Sequence, residues 1–219
     1  MEDVQSFSGG RSGLLVIKND SSLWAFEAKS FFGFGEEVSQ TPLYIANDVV
    51  VVAVGDSADY YVTLEGDLFV KGQAHRGQYG DGKLTSTENF VQTSGNVAQV
   101  VSHTGHTLLL KRDGTVWGTG GNIYGPLGHH GYGDKAIEWG LVFKDANAIA
   151  TGSSHSVAIK HDRSLWIWGR NEGLDPRQVM TEVEAVAAGN SSTLALSKNA
   201  LWQWDTGKNP ARIMTCQNR

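Results

Sequence analysis

The stretch Thr107-Leu108-Leu109-Leu110-Lys111-Arg112-Asp113-Gly114-Thr115-Val116-Trp117-Gly118-Thr119 decides the fold. It reads as an apolar strand, a tight turn and a second strand. Asp113 and Gly114 tolerate the positive φ angles that a hairpin turn requires. Working outward, the Val116-Trp117 slot returns as Leu23-Trp24-Ala25-Phe26, Leu68-Phe69-Val70-Lys71, Leu165-Trp166-Ile167-Trp168 and Leu201-Trp202-Gln203-Trp204. The intervals are about 45 to 49 residues and then about 36, the length of a propeller blade or slightly less. Each slot follows a strand: Leu14–Ile17, Tyr60–Leu64, Ser156–Ile159 and Thr193–Leu196 match Thr107–Leu110. A third strand ending near a glycine precedes all but the first hairpin, as in Val49-Val52-Gly55, Val97-Val100-Gly105, Ala146-Ile149-Gly152 and Val183-Val186-Gly189. A chain of five such units is an all-β propeller, expected to be one domain over residues 1–219.

The composition agrees. Hydrophobic residues make up 40% and charged residues 19%, and 27 glycines against 4 prolines suit many short strands joined by turns. A net charge of -5 with scattered Lys and Arg argues against a nucleic-acid footprint. The single cysteine, Cys216, excludes an internal disulfide, and the longest apolar run, Val49–Val54, is too short to cross a bilayer. Met1-Glu2-Asp3-Val4 has neither a basic nor an apolar leader region, so a cytoplasmic, bacterial location is expected.

The pattern V-x-x-V-x-x-G, H-(S/T), D-G-x-(L/V)-W-x-W-G and a glycine-rich loop resembles the regulator-of-chromosome-condensation repeat. The copies that carry the resemblance are Gly105-His106-Thr107 with Asp113–Trp117 and Gly121-Asn122-Ile123-Tyr124-Gly125-Pro126-Leu127-Gly128, and His155–Ile159 with Leu165–Asn171. Members of that family usually have seven blades, and this chain has five units. Its ends suggest closure: Pro210-Ala211-Arg212-Ile213-Met214-Thr215 matches Pro176-Arg177-Gln178-Val179-Met180-Thr181, and Val4–Gly9 reads as an opening strand. The expectation is a self-contained five-bladed monomer in which Val4–Ser8 pairs in the blade of Trp202, beside 211–214.

No catalytic constellation emerges. His106 and His155 share a repeat position, which points to hydrogen bonds between strands rather than to a metal. His129-His130 with Asp134 lacks a third ligand at diagnostic spacing. Gly77-Gln78-Tyr79-Gly80-Asp81-Gly82-Lys83-Leu84 approaches a phosphate loop, but Leu84 replaces the hydroxyl and no helix is expected after it. No enzyme, cofactor or metal is therefore expected. The first aromatic of each slot, as in Trp117 and Trp166, is expected in the core. The second position varies (Phe26, Lys71, Thr119, Trp168, Trp204), which leaves it free for binding. Phe26, Trp168 and Trp204, with Phe31, Phe32, Tyr79, Tyr124 and Tyr132 from the loops, are the candidate protein-contacting residues.

The resemblance implies three precedents: nucleotide exchange on a small GTPase by the nuclear member, bacterial propeller-type β-lactamase inhibitors, and bacterial effectors acting on host GTPases. The acidic charge favours the second, an inhibitor or immunity protein that blocks a basic enzyme or toxin. Exchange or effector action on a GTPase is the alternative, and a lectin the last. No nucleic-acid or membrane partner is expected.

Overall fold

The computed structural model describes residues 1–10, 13–29, 37–38, 41–128 and 133–215. Its strands form five antiparallel sheets, one after another along the chain. The first comprises β1 (Val4–Gly10), β2 (Gly13–Lys18), β3 (Leu23–Lys29), β4 (Glu37–Val38) and β5 (Leu43–Ala46), with β5 also pairing on β3. The second is β6 (Val49–Val54), β7 (Ala58–Thr63), β8 (Leu68–Gly72) and β9 (Thr87–Ser94). The third is β10 (Val97–Ser102), β11 (His106–Lys111), β12 (Val116–Gly121) and β13 (Lys135–Phe143). The fourth is β14 (Ala146–Thr151), β15 (His155–Lys160), β16 (Leu165–Gly169) and β17 (Gly173–Met180). The fifth is β18 (Val183–Ala188), β19 (Ser192–Ser197), β20 (Ala200–Asp205) and β21 (Ala211–Thr215). The opening strands β1, β6, β10, β14 and β18 neighbour one another and so line the centre.

The core lies between blades. Leu15, Ile17 and Leu23 of the first blade bury against Val49 and Tyr61 of the second, and Tyr60, Val62 and Leu68 against Val97, Val100 and Leu109. Leu108, Leu110 and Val116 meet Ile149, Ala158 and Trp168, and Val157, Ile159 and Leu165 meet Val183, Ala195 and Trp204. The sequence reason is period two: within each middle strand, alternate apolar side chains face opposite neighbouring blades. A backbone bond repeats at each junction. Val49, Val97, Ala146 and Val183 donate their N–H groups to the carbonyls of Ser21, Gly66, Gly114 and Arg163, at 2.9–3.0 Å. Those four acceptors all adopt positive φ, which turns the carbonyl toward the next blade.

A second repeated device pins the outer aromatic. In blades one, three and four, an aspartate (Asp20, Asp113, Asp162) accepts the N–H and O–H of Ser22, Thr115 or Ser164. That hydroxyl oxygen in turn accepts the indole N–H of Trp24, Trp117 or Trp166 at 2.8–2.9 Å. The two bonds from the Ser or Thr hold each carboxyl below the usual aspartate range. The rings are half-buried; Trp117 and Trp166 pack on the junction clusters as sequence suggested, with Lys111 and Lys160 ammoniums 4.8 and 4.9 Å from their centres, whereas Trp24 meets the Tyr44 ring edge-on at 5.6 Å. Blade five has Ala200 where the hydroxyl stands elsewhere, and the buried Trp202 Nε1 has no partner.

The closure expected from the ends is corrected. Val4 pairs with Lys18 inside the first blade, and Met214 pairs with Leu201 inside the fifth. Each blade already has its own inner strand, with β5 supplying an outer strand to blade one, so no strand remains to be shared. Successive blades pack on each other, but blade five makes no comparable contact with blade one among the described residues. The five blades form an open arc.

Candidate protein-recognition face

One side of the arc carries the turns between first and second strands and the longer loops between third and fourth strands. The loop 73–86 and the segment 122–128 are anchored by their glycines. Gly77 has φ 86°, and a Cβ there would sit 2.4 Å from the Ala136 carbonyl oxygen, so the loop can lie on the next blade only without a side chain. So placed, its carbonyl accepts from Thr119 Oγ1 at 2.7 Å. One blade on, Pro126 O accepts from Trp168 Nε1 at 2.7 Å and from Ser156 Oγ at 2.8 Å.

These contacts relocate several candidate contact residues. Trp168 is wholly buried and stacks on Phe143 at 5.5 Å, and Trp204 is 4% exposed. The second aromatic of the slot is an anchor for the preceding blade's loop, and its variability follows that loop. Blade four has only a short connection at 170–172, which brings no carbonyl to the Trp204 Nε1, and that atom is left buried and unpaired. In place of a long loop, the buried Glu172 accepts from Gly207 N at 2.7 Å and pairs with Arg177. Tyr79 is also internal: its hydroxyl donates to Gly72 O at 2.7 Å and accepts from Thr87 N at 3.2 Å. Trp168, Trp204 and Tyr79 thus offer a partner no surface. Phe26 is half-buried in a hollow beside Met1, Trp24 and Pro42, away from Tyr124. Phe31, Phe32, Tyr132 and the His129-His130 pair lie outside the described residues. Among the described candidates, Tyr124 stands where a contact residue should, 49% exposed, with the Arg170 guanidinium 4.7 Å from its ring centre.

Beside Tyr124 opens a cavity of about 430 Å³ between blades two, three and four. His75, Arg76, Thr104, Asp134, Lys135 and Ser153 contribute to its walls. The Arg76 side chain lies across Gly105, where a Cβ would meet its Nη1 at 2.9 Å. Among the described residues, neither Arg76 nor Lys135 has a carboxylate within ion-pair distance. A cationic rim on a chain of net charge -5 is a local exception. Sequence reasoning passed over it because the three contributing loops are far apart along the chain.

The floor is neutral. His106 Nε2 faces Ser156 Oγ at 3.2 Å, and His155 Nε2 faces Thr193 Oγ1 at 3.0 Å, so the recurring histidine ties blade three to blade four and blade four to blade five. Burial pushes His106 down to about 3, with His155 and His103 adding to it, and pushes His155 down to about 4, with His103 adding. Neither carries charge near neutrality.

No family model matches the chain. It is 27% identical over 209 residues to the RCC1 domain-containing protein RUG3, mitochondrial, of Arabidopsis thaliana, across 78% of this chain and 46% of that protein. The chain spans half the length or less of the curated relatives it matches first. Human WBSCR16 overlays 97% of this chain and 67% of its own at TM-score 0.84 and 20% identity. Prp20p of Saccharomyces cerevisiae, described with its binding to Gsp1p and histones, overlays 97% and 63% at TM-score 0.80 and 18% identity.

Proposed function

We propose that this chain, a β-propeller of RCC1-like repeats, is a non-catalytic recognition module whose loop face engages a small GTPase and regulates its nucleotide state. The observation that carries the reading is the cationic cavity flanked by Tyr124 and Arg170 on the loop side. Support comes from the repeat shared with Prp20p, which binds Gsp1p. Exchange needs no acid, base or metal from the propeller. It needs a surface that binds the nucleotide-free GTPase more tightly than the loaded form, which by linkage lowers the GTPase's affinity for nucleotide. The inhibitor reading loses two of its aromatic anchors, since Trp168 and Trp204 are buried, and is left resting mainly on the acidic charge.

The test is release of a fluorescent GDP analogue from a Gsp1p-type GTPase with and without the propeller, beside calorimetry of the pair. Faster release or binding that weakens at least about ten-fold in Arg76→Glu supports the proposal, because one lost charge-assisted contact at an interface is worth about 1.4 kcal/mol or more. No binding to any nucleotide state of a panel of small GTPases overturns it.

A further inference from the structure

The Arg76 side chain crosses the loop face in a slot left open by Gly105. A Cβ on Gly105 would meet Arg76 Nη1 at 2.9 Å and Cδ at 3.0 Å, and one on Gly121 would touch the same Cδ at 3.5 Å. Neither glycine has positive φ, so backbone conformation does not call for glycine at either place. The repeat slot alone does not account for Gly105 either. At Gly152, its counterpart in blade four, a Cβ would strike the Gly189 carbonyl oxygen at 2.3 Å, whereas the three nearest atoms at Gly105 all belong to Arg76. The arginine is thus laid along bare backbone at the wall of the cavity. Lys135 pairs with Gly121 across β12 and β13, which brings a second cation to the same corner. Asp134 adds one carboxylate to the wall. With the histidines neutral, two cations against one carboxylate leave a single positive charge.

We propose that the cavity is a pocket for one carboxylate side chain, an aspartate or glutamate of a partner protein, gripped by the Arg76 fork with Lys135 beside it. The inference rests on the reading of this side as the recognition face and names the group that face takes. Charge selects the ligand: one positive charge balances a carboxylate, whereas a phosphate dianion would face Asp134 with a charge left over. The far wall leaves the grip to the cations. Ser153 Oγ donates to Asn190 Oδ1 at 3.0 Å and accepts from Thr104 Oγ1 at 3.2 Å, so those hydroxyl protons are already committed, and Arg76 supplies the directional donors. The surroundings select a carboxylate flanked by apolar residues. Ile123 and Tyr124 are exposed at the rim, and the exposed Leu174 lies over Gly125 next to them, where a Cβ would meet its Cδ2 at 2.1 Å.

The probes are the blocked peptides acetyl-Leu-Glu-Leu-amide and acetyl-Leu-Gln-Leu-amide, titrated into the isotope-labelled chain and followed by NMR amide shifts. The glutamate peptide should move the amides of Gly105, Gly121 and Tyr124 along a saturating curve, and the glutamine peptide should need at least about ten-fold more. Arg76→Gln and Gly105→Ala should each weaken the glutamate peptide by a similar factor. Both should leave distant amides such as that of Ala195 in place, because Arg76 is an exposed, flexible side chain that yields to a new methyl group. Should Gly105→Ala disturb those distant amides, Arg76→Gln decides alone. Equal binding of the two peptides overturns the proposal, as does undiminished binding to either well-folded variant or no shift with any probe. Saturation by inorganic phosphate, or by acetyl-Leu-Leu with a free terminal carboxylate, at a lower concentration than the glutamate peptide overturns it too. The GTPase reading fails separately: a propeller that takes the peptide as stated but binds no GTPase sinks that reading and keeps the pocket. A GTPase that binds Gly105→Ala as tightly as the unaltered chain sinks the carboxylate pocket alone.

Discussion

Replacing Ala200 by Ser should stabilise the protein, and replacing Ser164 by Ala should destabilise it by a larger amount. In blade four, Ser164 Oγ accepts the Trp166 indole N–H at 2.8 Å and donates to Asp162. In blade five, the Trp202 Nε1 is buried with no acceptor. Ala200 is 5% exposed and stands two residues before Trp202, the offset of Ser164 from Trp166, so a serine oxygen there would face the indole. A buried unsatisfied donor costs about 1–3 kcal/mol, and a made hydrogen bond returns about 1 kcal/mol net. Ala200→Ser should therefore gain about 1 kcal/mol, raising Tm by about 2–4 °C for a chain of this size. Ser164→Ala should lose about 1–2 kcal/mol, since it strands one indole and loosens a turn. In blade five the turn is a two-residue one with both Lys198 and Asn199 at positive φ, so no aspartate backs the new hydroxyl, and the gain should stay below the loss in blade four. Urea melts measure both changes, and NMR of the indole N–H protons reports the bond directly through slower exchange at Trp202. A neutral Ser164→Ala, or an Ala200→Ser variant with unchanged melting and exchange, would refute the relay as a source of stability.

Three further outcomes are expected. Because His106 and His155 stay neutral down to about 3 and about 4 while an unfolded histidine titrates near 6.5, the unfolded chain binds more protons below pH 6.5. Stability should thus fall as pH drops from 6.5 toward 4, at up to about 1.4 kcal/mol per pH unit for each group. His106→Gln should roughly halve that slope above pH 4.5, and an unchanged slope would assign it elsewhere. Trp168→Phe keeps the stack on Phe143 but removes the bond to Pro126 O, and should cost about 1 kcal/mol with faster hydrogen exchange across 122–128. Glu172→Ala strands the Gly207 N–H and Arg177, and should cost about 2 kcal/mol by denaturant melt, with Glu172→Gln recovering part of it.

The repeat was legible because hairpins are local. An apolar strand, a turn with residues that accept positive φ, and a second strand with a fixed aromatic need only neighbouring residues, and all five hairpins fall where the sequence put them. The histidine ties were legible for the same reason, since a recurring polar position in a repeat implies a recurring contact. Trp168 and Trp204 were not, because a variable aromatic looks alike whether it meets a partner or a loop carbonyl from the preceding blade. That acceptor, Pro126 O, is 42 residues away in the chain and is aimed by its own glycine turn. Closure lay further out of reach. Val4–Gly9 has the pattern of an inner strand whether it completes its own blade or the last one, and hydrophobic alternation is blind to that choice. Only the tertiary structure decided it: side chains packed at four junctions, such as Tyr60 against Val100 and Leu109, join each blade to the next, β1 pairs within its own blade, and no comparable contact joins blade five to blade one among the described residues.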